Sequence, residues 1–85
     1  MAKTVKIQVE LDGEKYQCEL RRPSVETLSA VTKLSKTDEV RAAQILVGQC
    51  WVSGDEDIKQ DGLLLLAVSG EFGRACQPKA TRLKN

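Results

Sequence analysis

The dipeptide Asp12-Gly13 restricts the possible folds of this chain most, because it stands between two runs in which apolar and polar residues alternate. Such alternation is typical of half-buried strands, and Asp-Gly between two of them predicts a β-hairpin with a two-residue turn. The predicted hairpin covers about residues 3–20, and the numbers of facing residues add up to 25.

This pairing separates apolar from polar side chains. One face of the hairpin is apolar, with Val5 opposite Leu20, Ile7 opposite Cys18 and Val9 opposite Tyr16. The other face brings opposite charges together, with Lys6 opposite Glu19, Gln8 opposite Gln17 and Glu10 opposite Lys15. A shift of one residue would mix the two faces, so the register is well specified. A hairpin alone is marginally stable in water, so helices are expected to cover the apolar face.

Two helices are predicted after the hairpin. The first spans about residues 24–35 with Ser24 as its N-cap, and the second spans about residues 38–53. The second helix begins at Asp38 or Thr37 and is expected to stop at Gly54. The apolar stripe of the first helix consists of Val25, Leu28, Val31 and Leu34. The inner face of the second is predicted to hold Val40, Ala43, Leu46, Val47, Cys50 and Trp51, widened by Ala42 and Ile45.

A third helix is predicted over about residues 61–76, followed by a basic tail over residues 77–85. Residues 63–68 are apolar on every side of this helix, which places them at the centre of the fold or at an interface. Gly70 and Gly73 destabilise a helix interior, and they either permit the close approach of another helix or mark fraying.

The predicted fold is therefore α+β, with an N-terminal antiparallel β-hairpin followed by a three-helix bundle in a single domain of residues 1–85. Hydrophobic residues make up 41% of the chain and charged residues 29%, a balance that is typical of a globular protein. A domain of this size buries only about two thirds of its unfolded surface, so a second copy or a partner would help to stabilise it.

The chain lacks most of the side chains and motifs that enzymes use for catalysis. The chain has no histidine, which removes the commonest general base and most types of zinc site. It also has no CxxC pair, no phosphate-binding glycine loop and no dinucleotide-binding motif. Cys18, Cys50 and Cys76 lie at apolar positions and are predicted to be reduced, buried thiols. We therefore predict a protein that is not an enzyme and that has no cofactor or metal.

The charge distribution bears on partners and location. The net charge of +1 supplies no field that would steer the chain towards nucleic acid or an anionic membrane. The sequence has no apolar run long enough to span a membrane and no signal peptide, so a cytoplasmic protein is expected. A small nucleic-acid-binding or regulatory module is an alternative, because several residues outside the helices are basic: Arg21, Arg22, Lys79, Arg82 and Lys84.

The most site-like stretch is WVSGDEDIKQDGLLLL, whose acidic residues are Asp55, Glu56, Asp57 and Asp61. Aligned from Asp55 as an EF-hand loop, it has Lys59 at the fifth position, no glycine at the sixth, and Leu66 where a bidentate glutamate is required. We interpret the segment as a solvated corner in which Asp61 caps a helix, Asp55 or Asp57 caps a short turn, and Ile58 points inward. A role in partner recognition is the alternative.

Two segments resemble the helical part of small phage tail assembly chaperones. They are LRRPSVETLSAV, similar to the start of that part, and ILVGQCWVSGDEDIKQDGLLLLAV, similar to its middle. The second contains a helix that ends in an apolar and aromatic patch, a Gly-Asp corner and a Leu-rich helix. The resemblance spans about residues 20–84, and it implies a non-catalytic phage or prophage protein that binds the tape-measure protein or tail-tube subunits during assembly.

The sequence thus predicts an interaction protein whose client is a phage tail component. Trp51 is a large amphipathic anchor, and the Leu-rich segment supplies Leu63, Leu64 and Leu66, so these four residues are the predicted contacts. Their alternative role is in the hydrophobic core. A virion structural subunit that forms homo-oligomers through the edges of the hairpin is a further alternative.

Overall fold

The computed structural model describes residues 3–76, and the predicted basic tail of residues 77–85 lies outside them. Within this range the chain is α+β, as predicted, but it forms a three-stranded sheet and four helices rather than a hairpin and a three-helix bundle. In chain order the elements are β1 (Thr4–Leu11), β2 (Glu14–Arg21), α1 (Val25–Ser35), α2 (Glu39–Cys50), β3 (Trp51–Gly54), α3 (Asp57–Gln60) and α4 (Gly62–Ala75).

The hairpin of β1 and β2 has the predicted register. Every predicted pair is present, from Val5 opposite Leu20 to Glu10 opposite Lys15. Asp12 and Gly13 have φ angles of 53° and 80°, and two positive φ angles are what a type I′ turn requires. The local turn chemistry and the alternating pattern therefore specify this part of the fold together.

The segment Trp51–Gly54 is a strand, although the sequence predicted that helix α2 would continue to residue 53. The helix ends at Cys50, and Trp51 adopts extended backbone with φ −62° and ψ 128°. β3 pairs antiparallel with β2, so the sheet order is β1-β2-β3. Tryptophan and valine favour strands, and the second edge of β2 supplies the backbone partners that the segment needs.

Gly54 ends β3 instead of terminating a helix, so its predicted role was wrong. Its φ is 140°, and a Cβ at this position would lie 2.5 Å from the Cα of Cys18 and 2.6 Å from the carbonyl oxygen of Gln17. Glycine is therefore required here by both the backbone conformation and the close approach of β3 to β2.

The hydrophobic core lies between the apolar face of the sheet and helices α2 and α4. Helix α4 packs on β1 and on α2, while the short α3 packs on α4. The core is largely aliphatic, and its buried members are Ile7, Val9, Cys18, Leu20, Ala43, Leu46, Val47, Cys50, Ile58, Leu64, Leu65, Val68 and Phe72. Val40 was predicted on the inner face of α2 but is 45% exposed.

Helix α1 carries the predicted apolar stripe but contributes no buried residue. Ser24 caps the helix as predicted, since its hydroxyl accepts a hydrogen bond from the Thr27 N–H at 3.1 Å. The helix packs on α2, but Val25 is 80% exposed and Leu28 is 50% exposed. The apolar surface of α1 is therefore only partly covered by the rest of the described chain.

Candidate functional site

The acidic corner is built around a contact with the sheet. The Asp55 N–H donates to the Gln17 carbonyl at 2.9 Å, and the Asp55 carboxylate accepts from the Gln17 N–H at 2.9 Å. Asp55 thus extends the pairing of β2 with β3. The sequence predicted that Asp55 or Asp57 would cap a short turn, but neither side chain caps α3 by a hydrogen bond. Ile58 is fully buried beneath the corner, as predicted.

Asp61 has the predicted capping role at α4. Its carboxylate accepts hydrogen bonds from the N–H groups of Leu63 and Leu64 at 2.8 and 3.3 Å. Among residues 3–76 no three Cys, Asp or Glu side chains lie close enough together to hold a metal ion. Three of the four carboxylates of the corner have partners in the described chain, since Asp55 and Asp61 accept backbone hydrogen bonds and Glu56 is ion-paired with Lys59 at 3.3 Å.

The cysteines are placed in apolar surroundings. Cys18 and Cys50 are buried and Cys76 is half-buried, and all three are free thiols. Burial, with a smaller contribution from the charge of Asp55, raises the pKa of Cys18 to about 11, and burial also raises the pKa of Cys50. Because the thiolate is the nucleophilic form, these two thiols are poorly suited to catalysis near neutral pH.

The structure distributes the four predicted contact residues over different environments. Leu63 is 64% exposed, whereas Leu64 is 2% exposed and belongs to the core. Leu66 and Trp51 are half-buried against the core. The ammonium of Lys59 lies 4.5 Å from the centre of the Trp51 ring. These four side chains do not form one surface, and only Leu63 is freely accessible among them.

A groove of about 1010 Å³ lies between α1 and the C-terminal half of α4, and we call it the α1–α4 groove. Leu46 of α2 and Phe72 of α4 are buried beside it, while the half-exposed Leu28 of α1 lines its other side. The remaining lining residues are Lys3, Thr4, Val5, Arg22, Pro23, Gly70, Gly73, Arg74, Ala75 and Cys76. The lining is mostly apolar, with basic residues among its polar members.

The two glycines of α4 in this groove are not required by packing inside the chain. A Cβ on Gly73 would meet no atom within 4 Å, and a Cβ on Gly70 would meet only the end of the Arg74 side chain at 4.0 Å. Each glycine lowers the stability of a helix interior by about 1 kcal/mol relative to alanine. Their smallness leaves the backbone of α4 open to close approach from the groove.

Sequence reasoning missed this groove because a single sequence does not show whether the apolar stripe of α1 is covered by the rest of the chain. Two features of the sequence could have indicated the groove if they had been considered together: the spacing of Val25 and Leu28, and the pair Gly70 and Gly73. Comparison with protein-family models, with curated proteins and with solved structures found no significant match to the chain. None of the helices in residues 3–76 is both long enough and apolar enough to cross a membrane.

Proposed function

We propose that this protein is a non-enzymatic assembly factor of the phage tail chaperone type, and that it binds an amphipathic helix of a tail protein in the α1–α4 groove. The proposed client is the tape-measure protein or a tail-tube subunit. The observation that carries the proposal is the apolar surface of α1, with Leu28 half-exposed at the groove and Val25 exposed next to it in the same stripe.

The mostly apolar lining of the groove suits a helical ligand. Amphipathic helices bind proteins by laying an apolar face into such a groove, with anchors spaced three or four residues apart. Leu28 and Leu46 would contact these anchors, while Gly73 would allow the backbone of the client helix to approach α4 closely. Binding would bury apolar side chains that the described chain leaves partly exposed, which is favourable in water.

The charges around the groove favour a client with acidic residues beside its apolar face. Lys3, Arg22 and Arg74 line the groove, and Arg74 is ion-paired with Glu71 on the same helix. Opposite charges at the rim of an interface accelerate association and select partners more than they strengthen binding. A client helix with a basic polar face is expected to bind more slowly.

The resemblance of LRRPSVETLSAV and of the segment around Trp51 to tail assembly chaperones supports the choice of a tail protein as client. Single-stranded nucleic acid is the less favoured ligand for this groove. Of the described residues that line it, Phe72 is the aromatic one, and at 2% exposure it offers no surface on which a base could stack.

Co-expression with a tape-measure protein and with a tail-tube subunit from the same genome tests the proposal. The wild-type chain carrying an affinity tag is expected to retain the tape-measure or tube protein through purification. Leu28→Asp places a charge in the apolar lining, and Gly73→Leu fills the groove from α4. Both variants are expected to reduce the retained client at least about tenfold, which corresponds to about 1.4 kcal/mol of binding free energy.

Leu63→Asp is the matched control, because Leu63 is exposed but does not line the groove. It is expected to retain the client as the wild type does. Absence of any client with the wild-type chain would contradict the proposed function. If both groove variants retain the client and Leu63→Asp loses it, the client binds instead at the N-terminal end of α4.

A further inference from the structure

Strand β1 lies at one edge of the sheet and is paired on one side only, with β2. The opposite edge is formed by β3, which has four residues and is bounded by the acidic corner. β1 is eight residues long and hydrogen-bonds to no other strand among residues 3–76. A long, regular edge of this kind is a template for pairing with another strand.

The contact between Asp55 and Gln17 shows which backbone groups of β1 face outward. Both the N–H and the carbonyl of Gln17 bond to Asp55, on the side of β3. Gln17 lies opposite Gln8, so this pair exchanges no hydrogen bonds across the hairpin. The N–H and carbonyl of Gln8 therefore point to the open edge. Because the direction of these groups alternates along a strand, the N–H and carbonyl groups of Lys6 and Glu10 point to the open edge as well.

We propose that two copies of this chain pair through β1 in an antiparallel arrangement about a two-fold axis, with Gln8 opposite Gln8 of the second copy. The two sheets would then form one continuous sheet of six strands. Lys6 of each copy would lie opposite Glu10 of the other, which gives two ion pairs by symmetry. The proposal does not depend on the proposed function.

Charge complementarity selects this register. Only registers in which odd residues face odd residues keep the apolar faces on one side of the sheet. Such registers differ by two residues. A shift of two residues places either Lys6 or Glu10 opposite Gln8, and a shift of four residues places Lys6 opposite Lys6 or Glu10 opposite Glu10. The register centred on Gln8 is therefore the one that brings the charges of Lys6 and Glu10 together within the strand.

The apolar face of β1 supports the same register. Ile7 and Val9 are buried within one copy, whereas Val5 and Leu11 at the two ends of the strand are only half-buried. Pairing centred on Gln8 places Val5 opposite Leu11 of the second copy and Ile7 opposite Val9. Each half-buried end would thus gain an apolar neighbour that the single chain does not provide.

Sedimentation of the full chain over a concentration series tests the proposal through charge reversal. Lys6→Glu and Glu10→Lys each place like charges opposite each other, and each is expected to raise the dimer dissociation constant at least about tenfold. The double variant Lys6→Glu/Glu10→Lys exchanges the two charges and is expected to restore the dimer. Glu19 and Lys15 face these positions inside the hairpin, so the double variant carries the intramolecular costs of both single variants.

If the double variant recovers the dimer, the cause must therefore be the restored ion pairs between the two copies. Gln8→Pro is a second test, since it removes an N–H that faces the open edge and leaves the bonds between β1 and β2 in place. Circular dichroism establishes that each variant is folded, and Gln8→Pro is expected to be a folded monomer. A wild-type chain that is monomeric throughout the series, or a dimer that neither single variant weakens, would overturn the proposal.

Discussion

Asp55 bonds to both backbone polar groups of Gln17, through its own N–H and through its carboxylate, at 2.9 Å in each case. The contact joins residues that are 38 positions apart and lies where the chain leaves β3 for α3. It satisfies a donor and an acceptor at the edge of β2 just beyond the last paired residue of β3. Asp55, one of the four acidic residues of the most site-like stretch, thus has a structural role.

Replacing Asp55 by alanine is expected to destabilise the fold by about 1 kcal/mol, because the Gln17 N–H loses its charged acceptor at a site open to solvent. Asp57→Ala is the control. It removes a carboxylate from the same corner that makes no side-chain hydrogen bond at the start of α3, so its effect is expected to stay within about 0.5 kcal/mol. Urea unfolding measures both values, and equal effects would contradict this role of Asp55.

Gly54→Ala is expected to cost about 2–4 kcal/mol, because the added methyl group would overlap backbone atoms of β2 and the φ of 140° is unfavourable for alanine. Gly48→Ala is the matched control. Gly48 lies in α2 and a Cβ there would meet nothing within 4 Å, so alanine is expected to stabilise the protein by about 1 kcal/mol. A tolerated Gly54→Ala would show that β3 does not pair as described.

Truncation of the two adjacent leucines at the start of α4 is expected to change stability by very different amounts. Leu64→Ala removes a side chain that is 2% exposed, and should destabilise the fold by about 2–5 kcal/mol. Leu63→Ala removes one that is 64% exposed, and should change stability by less than about 0.5 kcal/mol. Thermal or urea unfolding distinguishes the two, and similar losses would mean that Leu63 is covered in solution, for instance by a second copy.

The parts of the fold that were predictable from sequence are those specified by neighbouring residues. Asp12-Gly13 determines the turn type, and the alternation beside it then determines each pair of the hairpin. Ser24 and Asp61 were predicted as helix caps, and Asp38 was one of two candidates with Thr37; Ser24, Asp38 and Asp61 each accept a hydrogen bond from a backbone N–H in the first turn of their helix. Caps and turns act within a few residues, so a single sequence contains them.

The features that were missed depend on residues far apart in the chain. Trp51–Gly54 continues an apolar helical pattern, and it becomes a strand because the second edge of β2 is open to it. The groove was missed for the same kind of reason. A stripe such as that of Val25 and Leu28 looks alike whether or not it is covered, and its exposure depends on where α4 lies relative to α1.

The free energy of unfolding is expected to fall between about pH 9 and pH 11, with part of the fall due to Cys18. Burial raises the pKa of this thiol from 9.0 to about 11 in the folded chain. In that range the unfolded chain loses the thiol proton while the folded chain retains it, so rising pH favours unfolding. Urea unfolding at about pH 8 and about pH 10 should show a smaller decrease for Cys18→Ala than for the wild type, and equal decreases would contradict the assignment.

The contact between Lys59 and Trp51 provides a spectroscopic test of the corner. The Lys59 ammonium lies 4.5 Å from the ring centre, and Trp51 is the only tryptophan in the chain. Lys59→Met keeps an unbranched side chain over the ring but removes the charge, and is expected to cost about 0.5–1 kcal/mol and to shift the fluorescence of Trp51. Glu56→Gln is the control, because it removes the ion pair to Lys59 at 3.3 Å and leaves the cation beside the ring. Unchanged emission of Trp51 in Lys59→Met would show that the Lys59 ammonium does not contact the Trp51 ring in solution.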